Sequence, residues 1–478
     1  MKVLNVNFKK NYSLSIAEVL SRLPLIFTVG FLAKSIGVEA FGAWSLVLIM
    51  QTLFITIGSA GMSSALIRYV PNSKNHIAYQ YLFVSFQKSL VAILPLAFIV
   101  FFFYEKIGYL LNINIEYHWL LMMSLIMALG SIVDGHLDAY FKGRKLVSKQ
   151  IYFLLTRTIA EIFSVLLVFY FLDFSHSSNA ISIYVISVVS IKFFIYPWLV
   201  WESAGILKNK LDKSLEIEFT NFGYLLVPGI LIGWAILQAD RIIIGQMLNA
   251  REIGVYAFSA TLASYFVFLS YSIMPLFQSI ASSHYDKGDI QKLHNLFEIW
   301  QYIFSLGASI ALIFVVFFSR EILILTAGEE FSQLPHLFII LSLAIFLEQF
   351  FGQYHFIFYL KKTPKLTTIF FFTKLITLLS LIPIFIYFFG LNGAAIGVLA
   401  TTFLVSIVQY KMAIKLISLK LTFFLIRYLI ILTSIVLIFY CMTYFSLLSK
   451  PLALIILIPL VILYSINGRK KLGYYIQK

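Results

Sequence analysis

Gly37-Val38-Glu39-Ala40-Phe41-Gly42-Ala43-Trp44 returns 212 residues later as Asn249-Ala250-Arg251-Glu252-Ile253-Gly254-Val255-Tyr256. Gly42 falls on Gly254, Phe41 on Ile253 and Trp44 on Tyr256. Each copy lies between the first and second apolar segments of its half of the chain. A glycine between a bulky residue and an aromatic one suits a tight turn at a lipid–water boundary. Glycine takes backbone angles that a side chain forbids, and the aromatic ring is expected at headgroup depth. The chain reads as a duplicated membrane protein.

A second echo supports the duplication. Phe153-Leu154-Leu155-Thr156-Arg157 resembles Phe370-Phe371-Phe372-Thr373-Lys374 at a shift of 217, and each follows a short basic loop. Composition fixes the class: 61% of the residues are hydrophobic and 12% charged, against about 25% charged in soluble domains. Runs of 18 or more apolar residues are long enough to span a bilayer, and fourteen are expected here. Six of these form a first lobe over residues 1–205, and a polar linker follows at 206–221. Six more form a second lobe over 222–418, and two further helices with a basic tail occupy 419–478. The expected fold is therefore an all-α polytopic membrane protein with two pseudo-symmetric six-helix lobes. Six being even, the repeats enter the membrane the same way up, related by an axis along its normal. A cleft between the lobes is the natural place for a substrate.

The net charge of +15 does not point to nucleic acid, because the basic residues sit in short loops beside spans. With both termini on one side, that side holds 24 of the 36 Lys and Arg residues, the other side 5, and the spans 7. The positive-inside rule makes both termini cytoplasmic. The lone cysteine, Cys441, lies in a span, which excludes a disulfide framework and a thiolate metal site. The first apolar run carries Glu18 and Arg22 and lacks a small-residue cleavage site, so it reads as a helix rather than a signal peptide. His118, His136 and His355 lack metal-ligand spacing, and no metal or other cofactor is expected. There is no phosphate-binding glycine loop of the nucleotide-hydrolase kind, and the longest outer loop, at about 319–333, is too short for the catalytic loops of a polymerase.

Charges kept in mid-membrane usually face a cavity or a partner, because each costs about 2.5–3.5 kcal/mol to insert. The basic candidates are Arg22, Lys88, Arg157 and Lys374, a cationic set fit for an anionic substrate. The acids are Glu18, Asp134, Asp138, Glu161, Asp240 and Glu348, which together with Arg241 are candidates for ion coupling or gating. Burial favours the protonated form of a carboxyl, so Asp134, Asp138 or Glu348 is suited to carrying a coupling proton. Two alternatives stand beside this reading. Glu18–Arg22 and Arg157–Glu161 are four apart on one helix face and can simply neutralise each other, and Asp240–Arg241 can cap the outer end of the seventh helix. Lys192 and Arg427 read as residues that snorkel to the interface.

Three stretches resemble one family: 33–45 around the opening motif, Ser64-Ala65-Leu66-Ile67-Arg68-Tyr69-Val70, and Ala239-Asp240-Arg241-Ile242-Ile243-Ile244-Gly245 with its turn. They look like polysaccharide flippases of the Wzx type, which handle O-antigen or capsule repeat units. Those flippases belong to the multidrug/oligosaccharidyl-lipid/polysaccharide exporter superfamily. The resemblance implies translocation of an undecaprenyl-diphosphate-linked oligosaccharide across a bacterial cytoplasmic membrane. It implies alternating access coupled to H⁺ or Na⁺, and a place in lipopolysaccharide assembly beside a polymerase and a chain-length regulator, with no bond made. A cationic lumen suits the diphosphate. The alternatives are a drug–cation antiporter of the same superfamily, which calls for an acidic cavity, and a polytopic polymerase.

Overall fold

The structure, a computed structural model, describes residues 21, 24–71, 73–168, 178–200, 212–267, 274–361, 363–417, 434 and part of 457–465. Helices dominate and the described residues include no strand, as a lipid solvent demands of a chain that does not close into a barrel. In chain order the helices are α1 (Pro24–Ile36), α2 (Val38–Gly58), α3 (Met62–Tyr69), α4 (Asn75–Leu110) and α5 (Leu120–Gly143). There follow α6 (Val147–Leu166), α7 (Ser178–Val200), α8 (Lys213–Met247), α9 (Ala250–Ser264) and α10 (Met274–Asp286). The series ends with α11 (Ile290–Ala327), α12 (Pro335–Gly352), α13 (Phe356–Leu360) and α14 (Pro364–Leu416). Among the described residues, seven helical stretches are long and apolar enough to cross a membrane.

One of these stretches is two spans. A straight α14 of 53 residues would be about 80 Å long at 1.5 Å per residue, against roughly 30 Å of hydrocarbon. Gly390 breaks it, with φ 57° and ψ −138°. The chain doubles back there so sharply that a β-carbon on Gly393 would lie 1.8 Å from the carbonyl oxygen of Phe385. The expected eleventh and twelfth helices, 366–389 and 393–417, are these two arms. The expected second helix, 41–67, is likewise interrupted: Ala60 and Gly61 take positive φ of 51° and 72°, separating α2 from α3. The thirteenth helix lies almost wholly outside the described residues, as does most of the fourteenth.

The chain forms two compact units. The first comprises Met1–Phe258 with Thr326–Phe331, and the second Ser259–Leu325 with Ser332–Lys478. In the first unit the opening motif has a different job from the one its sequence suggests. Gly42 and Gly254 lie inside α2 and α9 rather than at turns. The residue that needs glycine's backbone freedom is Gly37, with φ +81° just before α2. Gly42 and Gly254 instead let two backbones touch. A β-carbon on Gly42 would lie 2.0 Å from the carbonyl oxygen of Ala250, and one on Gly254 would lie 2.1 Å from that of Val38. In both cases the carbonyl is four residues before the partner glycine, the reciprocity of a two-fold axis. The aromatics follow the same logic: Trp44 and Tyr256 are buried inside the protein rather than exposed on its surface. Phe41, Phe258 and Phe331 close the crossing with ring centroids 5.0–5.8 Å apart.

The full length of α8 is bonded into this unit. Gly61 and Gly223 approach as closely as the motif glycines do. Trp234 donates from Nε1 to Thr52 Oγ1 at 3.0 Å, and Asn112 donates to the Gly245 carbonyl at 3.0 Å. The apolar centre runs from Leu66 and Tyr81 through Phe141 and Phe153 to Phe219.

Candidate functional site

Three helices of the first unit bring charged side chains together. On α5, Asp134 and Asp138 are four apart; on α6, so are Arg157 and Glu161; α7 brings Lys192. Helical spacing puts each pair on one face, and the three faces converge. Lys192 Nζ is 2.8 Å from Asp134 Oδ2 and 3.8 Å from Glu161 Oε1. Arg157 Nε is 3.7 Å from the same Glu161 oxygen. Charges therefore alternate along Arg157, Glu161, Lys192 and Asp134. Exposure falls inward: the side chains are 34%, 21%, 8% and 9% accessible in that order. Asp138 is held apart from this chain by Lys142 at 2.8 Å and by an amide bond from Gln150 at 3.0 Å.

These residues line a cavity of about 290 Å³, together with Gln51, Ser131 and Tyr184. At about 30 Å³ of liquid per water, that is room for on the order of ten waters or one compact ionic group, not for a string of sugars. Lys192 corrects the snorkelling expectation. It sits eight residues before the end of α7, about 12 Å of helix, and a buried carboxylate on a neighbouring helix holds its ammonium. Sequence offered one usable signal, a lysine well inside an apolar run; its partners came from other helices.

Elsewhere in this unit, Lys88 of α4 pairs with Glu216 in the first turn of α8 at 2.7 Å. Beside it Tyr69 donates to Glu218 at 3.0 Å, and Arg68 lies over the Phe222 ring. Asp240 lies seven residues inside α8, so it is not at the helix end where a cap belongs. It accepts from the Tyr256 hydroxyl at 2.7 Å and from the backbone N–H of Arg241 at 2.8 Å, which ties α8 to α9. Arg241 is half-buried and its Nε has no hydrogen-bond acceptor among the described residues. His136 is fully buried and bridges Ser63 at 3.0 Å and Ser89 at 2.7 Å, a joint between α3, α4 and α5. Glu18, Arg22 and Arg427 lie outside the described residues.

In the second unit Lys374, on the first arm of α14, bonds Glu348 of α12 at 2.5 Å. Sequence reading passed over a further charge there: Glu298 of α11 is 1% accessible and lies 3.7 Å from His294. The same helix face carries Gln301, Ser305 and Ser309, all buried, a polar stripe hidden by its apolar surroundings. No group of three or more metal-ligating side chains occurs among the described residues.

Residues 8–281 match the model of a family described as polysaccharide biosynthesis protein. The chain is 25% identical over 313 residues to EpsK of Bacillus subtilis (strain 168), an uncharacterized membrane protein, covering 61% of this chain and 58% of that one. It thus spans under two thirds of that relative's length. The fold is similar to that of the lipid II flippase MurJ in an inward closed conformation. The TM-score is 0.69 at 15% identity, over 97% of this chain and 99% of MurJ. It is also similar to an inward-facing multidrug resistance MATE family transporter of the MOP superfamily. There the TM-score is 0.67 at 16% identity, over 83% of this chain and 94% of that one.

Proposed function

Because the chain belongs to the polysaccharide biosynthesis protein family, we propose that it is a flippase for an undecaprenyl-diphosphate-linked oligosaccharide. It carries the lipid-linked repeat unit across a bacterial cytoplasmic membrane, with both termini cytoplasmic, by alternating access coupled to H⁺ or Na⁺, and makes no bond itself. The carrying observation is the chain of alternating charges beside a cavity in the membrane helices of the first unit. Such a substrate is a greasy tail joined to a diphosphate, and Arg157 is the most accessible cation of that chain. A guanidinium can take two phosphate oxygens at once. Arg157 takes the phosphate in this reading, and Arg22 is its proposed companion. Lys88 and Lys374 hold their carboxylates at 2.7 and 2.5 Å, closer than Arg157 holds Glu161 at 3.7 Å, and rank behind it. Asp134, Asp138 and Glu348 are the proposed carriers of the coupling ion.

The cavity has room for a charged group. One observation favours a second reading. The cavity is lined by three carboxylates (Asp134, Asp138, Glu161) and two cations (Arg157, Lys192), a balance that also suits an exporter of lipophilic cations.

Deletion followed by lipid extraction separates the two. A lost flippase leaves fully assembled lipid-linked repeat units accumulating on the cytoplasmic face. A lost drug exporter changes drug susceptibility with no glycan phenotype, and a lost polymerase leaves single repeat units already exported. Ion dependence is tested in liposomes, where purified protein should carry the lipid only under a proton or a sodium gradient.

A further inference from the structure

Resting on Arg157 as the cation that meets the substrate's phosphate, we propose that Glu161 is a built-in stand-in for that phosphate: it holds Arg157 in the empty protein and moves onto Lys192 when substrate arrives. Lys192 is then a positioning residue, acting on the substrate only through Glu161.

Glu161 is shared almost equally. Its Oε1 lies 3.7 Å from Arg157 Nε and 3.8 Å from Lys192 Nζ, both beyond hydrogen-bond reach. A carboxylate committed to one partner would sit about 1 Å closer. Lys192 can receive it, because an ammonium has three donors and the bond to Asp134 Oδ2 at 2.8 Å uses one.

The move is local. Arg157 and Glu161 stand four apart on α6, so rotation about the Glu161 side-chain bonds switches partners while the helix stays fixed. Charge demands the move as well. A phosphate on Arg157 with Glu161 still beside it would set two anions together in a confined site of low polarisability, where repulsion is strong. With Glu161 on Lys192 the order becomes phosphate, Arg157, Glu161, Lys192, Asp134, and signs again alternate. The other acid at hand does not compete for Lys192, because Asp138 is occupied by Lys142 and Gln150.

The test is a double-mutant cycle on the purified full-length protein, with inorganic diphosphate as the probe and calorimetric affinity as the readout. Glu161→Gln removes the competitor and should tighten diphosphate binding about tenfold, within the range seen for contacting charges. Lys192→Met alone takes the ammonium away from the buried Asp134 carboxylate, so it is made with Asp134→Asn, which leaves a neutral pair. That double variant keeps Glu161 on Arg157 and should weaken binding about tenfold. Added to the Glu161→Gln background it should change affinity less than twofold, and Lys192→Arg should recover most of the loss. A merely structural Lys192 would weaken binding equally in both backgrounds, and that additivity overturns the exchange, as does an unchanged affinity in Glu161→Gln. If diphosphate fails to bind the wild type and Glu161→Gln alike, the assignment of phosphate to Arg157 falls first and the exchange falls with it.

Discussion

The two repeats are equals where Gly42 meets Gly254 and unequal where each carries its charges. At the crossing each glycine faces the other repeat's carbonyl at the same offset and nearly the same distance. Along the fifth helix of each repeat, Arg157 corresponds to Lys374, but the shift of 217 that relates them puts Leu378 opposite Glu161 and Gln409 opposite Lys192. Around this helix the second repeat pairs Lys374 with Glu348, whereas the first has a chain of four charges. A backbone contact this close admits only glycine, so both helices of the crossing carry one. A pair of charges can do little beyond neutralise itself, whereas a chain with a shared carboxylate can change partners. The difference assigns support to the second repeat's charges and exchange to the first's.

The largest effect expected from breaking that difference is at Lys192. Lys192→Met takes the ammonium away from the buried Asp134 carboxylate, and loss of one member of a buried pair costs about 3–5 kcal/mol. Thermal unfolding in detergent should show a strong drop, largely reversed by adding Asp134→Asn. Reversal of stability without reversal of transport would separate the residue's structural part from its part in exchange.

Next come the glycines. Gly42→Ala puts a methyl 2.0 Å from a carbonyl oxygen that belongs to backbone and cannot rotate away, so the helices must part. Overpacking of this kind costs about 3 kcal/mol. Gly254→Ala should cost the same within about 0.5 kcal/mol, and a clearly unequal pair of melting temperatures would contradict the two-fold reading of the crossing.

This crossing marks how far the sequence could be read. The apolar runs and the glycine echo were legible because they are properties of one segment at a time. The same glycine, however, serves a turn or a backbone contact, and only Gly37 turned out to serve the turn. Trp44 and Tyr256 were assigned to the membrane surface because aromatic rings favour it. They are buried because the helix contact they flank excludes lipid. Arg157–Glu161 was visible as a spacing, and so was its neutralising alternative. Lys192 reads from sequence as a snorkelling residue, since its partners lie 31 and 58 residues away. Pairing across helices leaves no period in a single chain.

A charge exchange sharpens the comparison further. The Lys374–Glu348 pair is partly accessible, so its loss in Lys374→Met should cost about 1 kcal/mol at most. Exchanging the two residues, Lys374→Glu with Glu348→Lys, should restore both stability and surface polysaccharide. The matching exchange in the first repeat, Arg157→Glu with Glu161→Arg, should not restore polysaccharide, because an arginine at 161 would face Lys192 and leave it no carboxylate to receive. Equal rescue in both repeats would show that the four-charge chain is only two neutral pairs.

The smallest effect belongs to Lys88. Its counterpart in the second repeat at the shift of 212 is Trp300, so this charge too is particular to the first copy. Its partner is Glu216 at the start of α8, and both side chains are about a third accessible. Pairs this open contribute about 0.2–1 kcal/mol, and salt screens them further. Lys88→Met should therefore shift the melting temperature by a degree or two and leave the protein abundant in the membrane. Tyr69–Glu218 and the Arg68–Phe222 contact still fasten the same end of α8 to α3. Surface polysaccharide should stay above half of the wild-type amount. Were it abolished while the protein remained folded, the positive charge at 88 would be meeting substrate rather than Glu216, and the phosphate path in the first repeat would need a further cation besides Arg157 and Arg22.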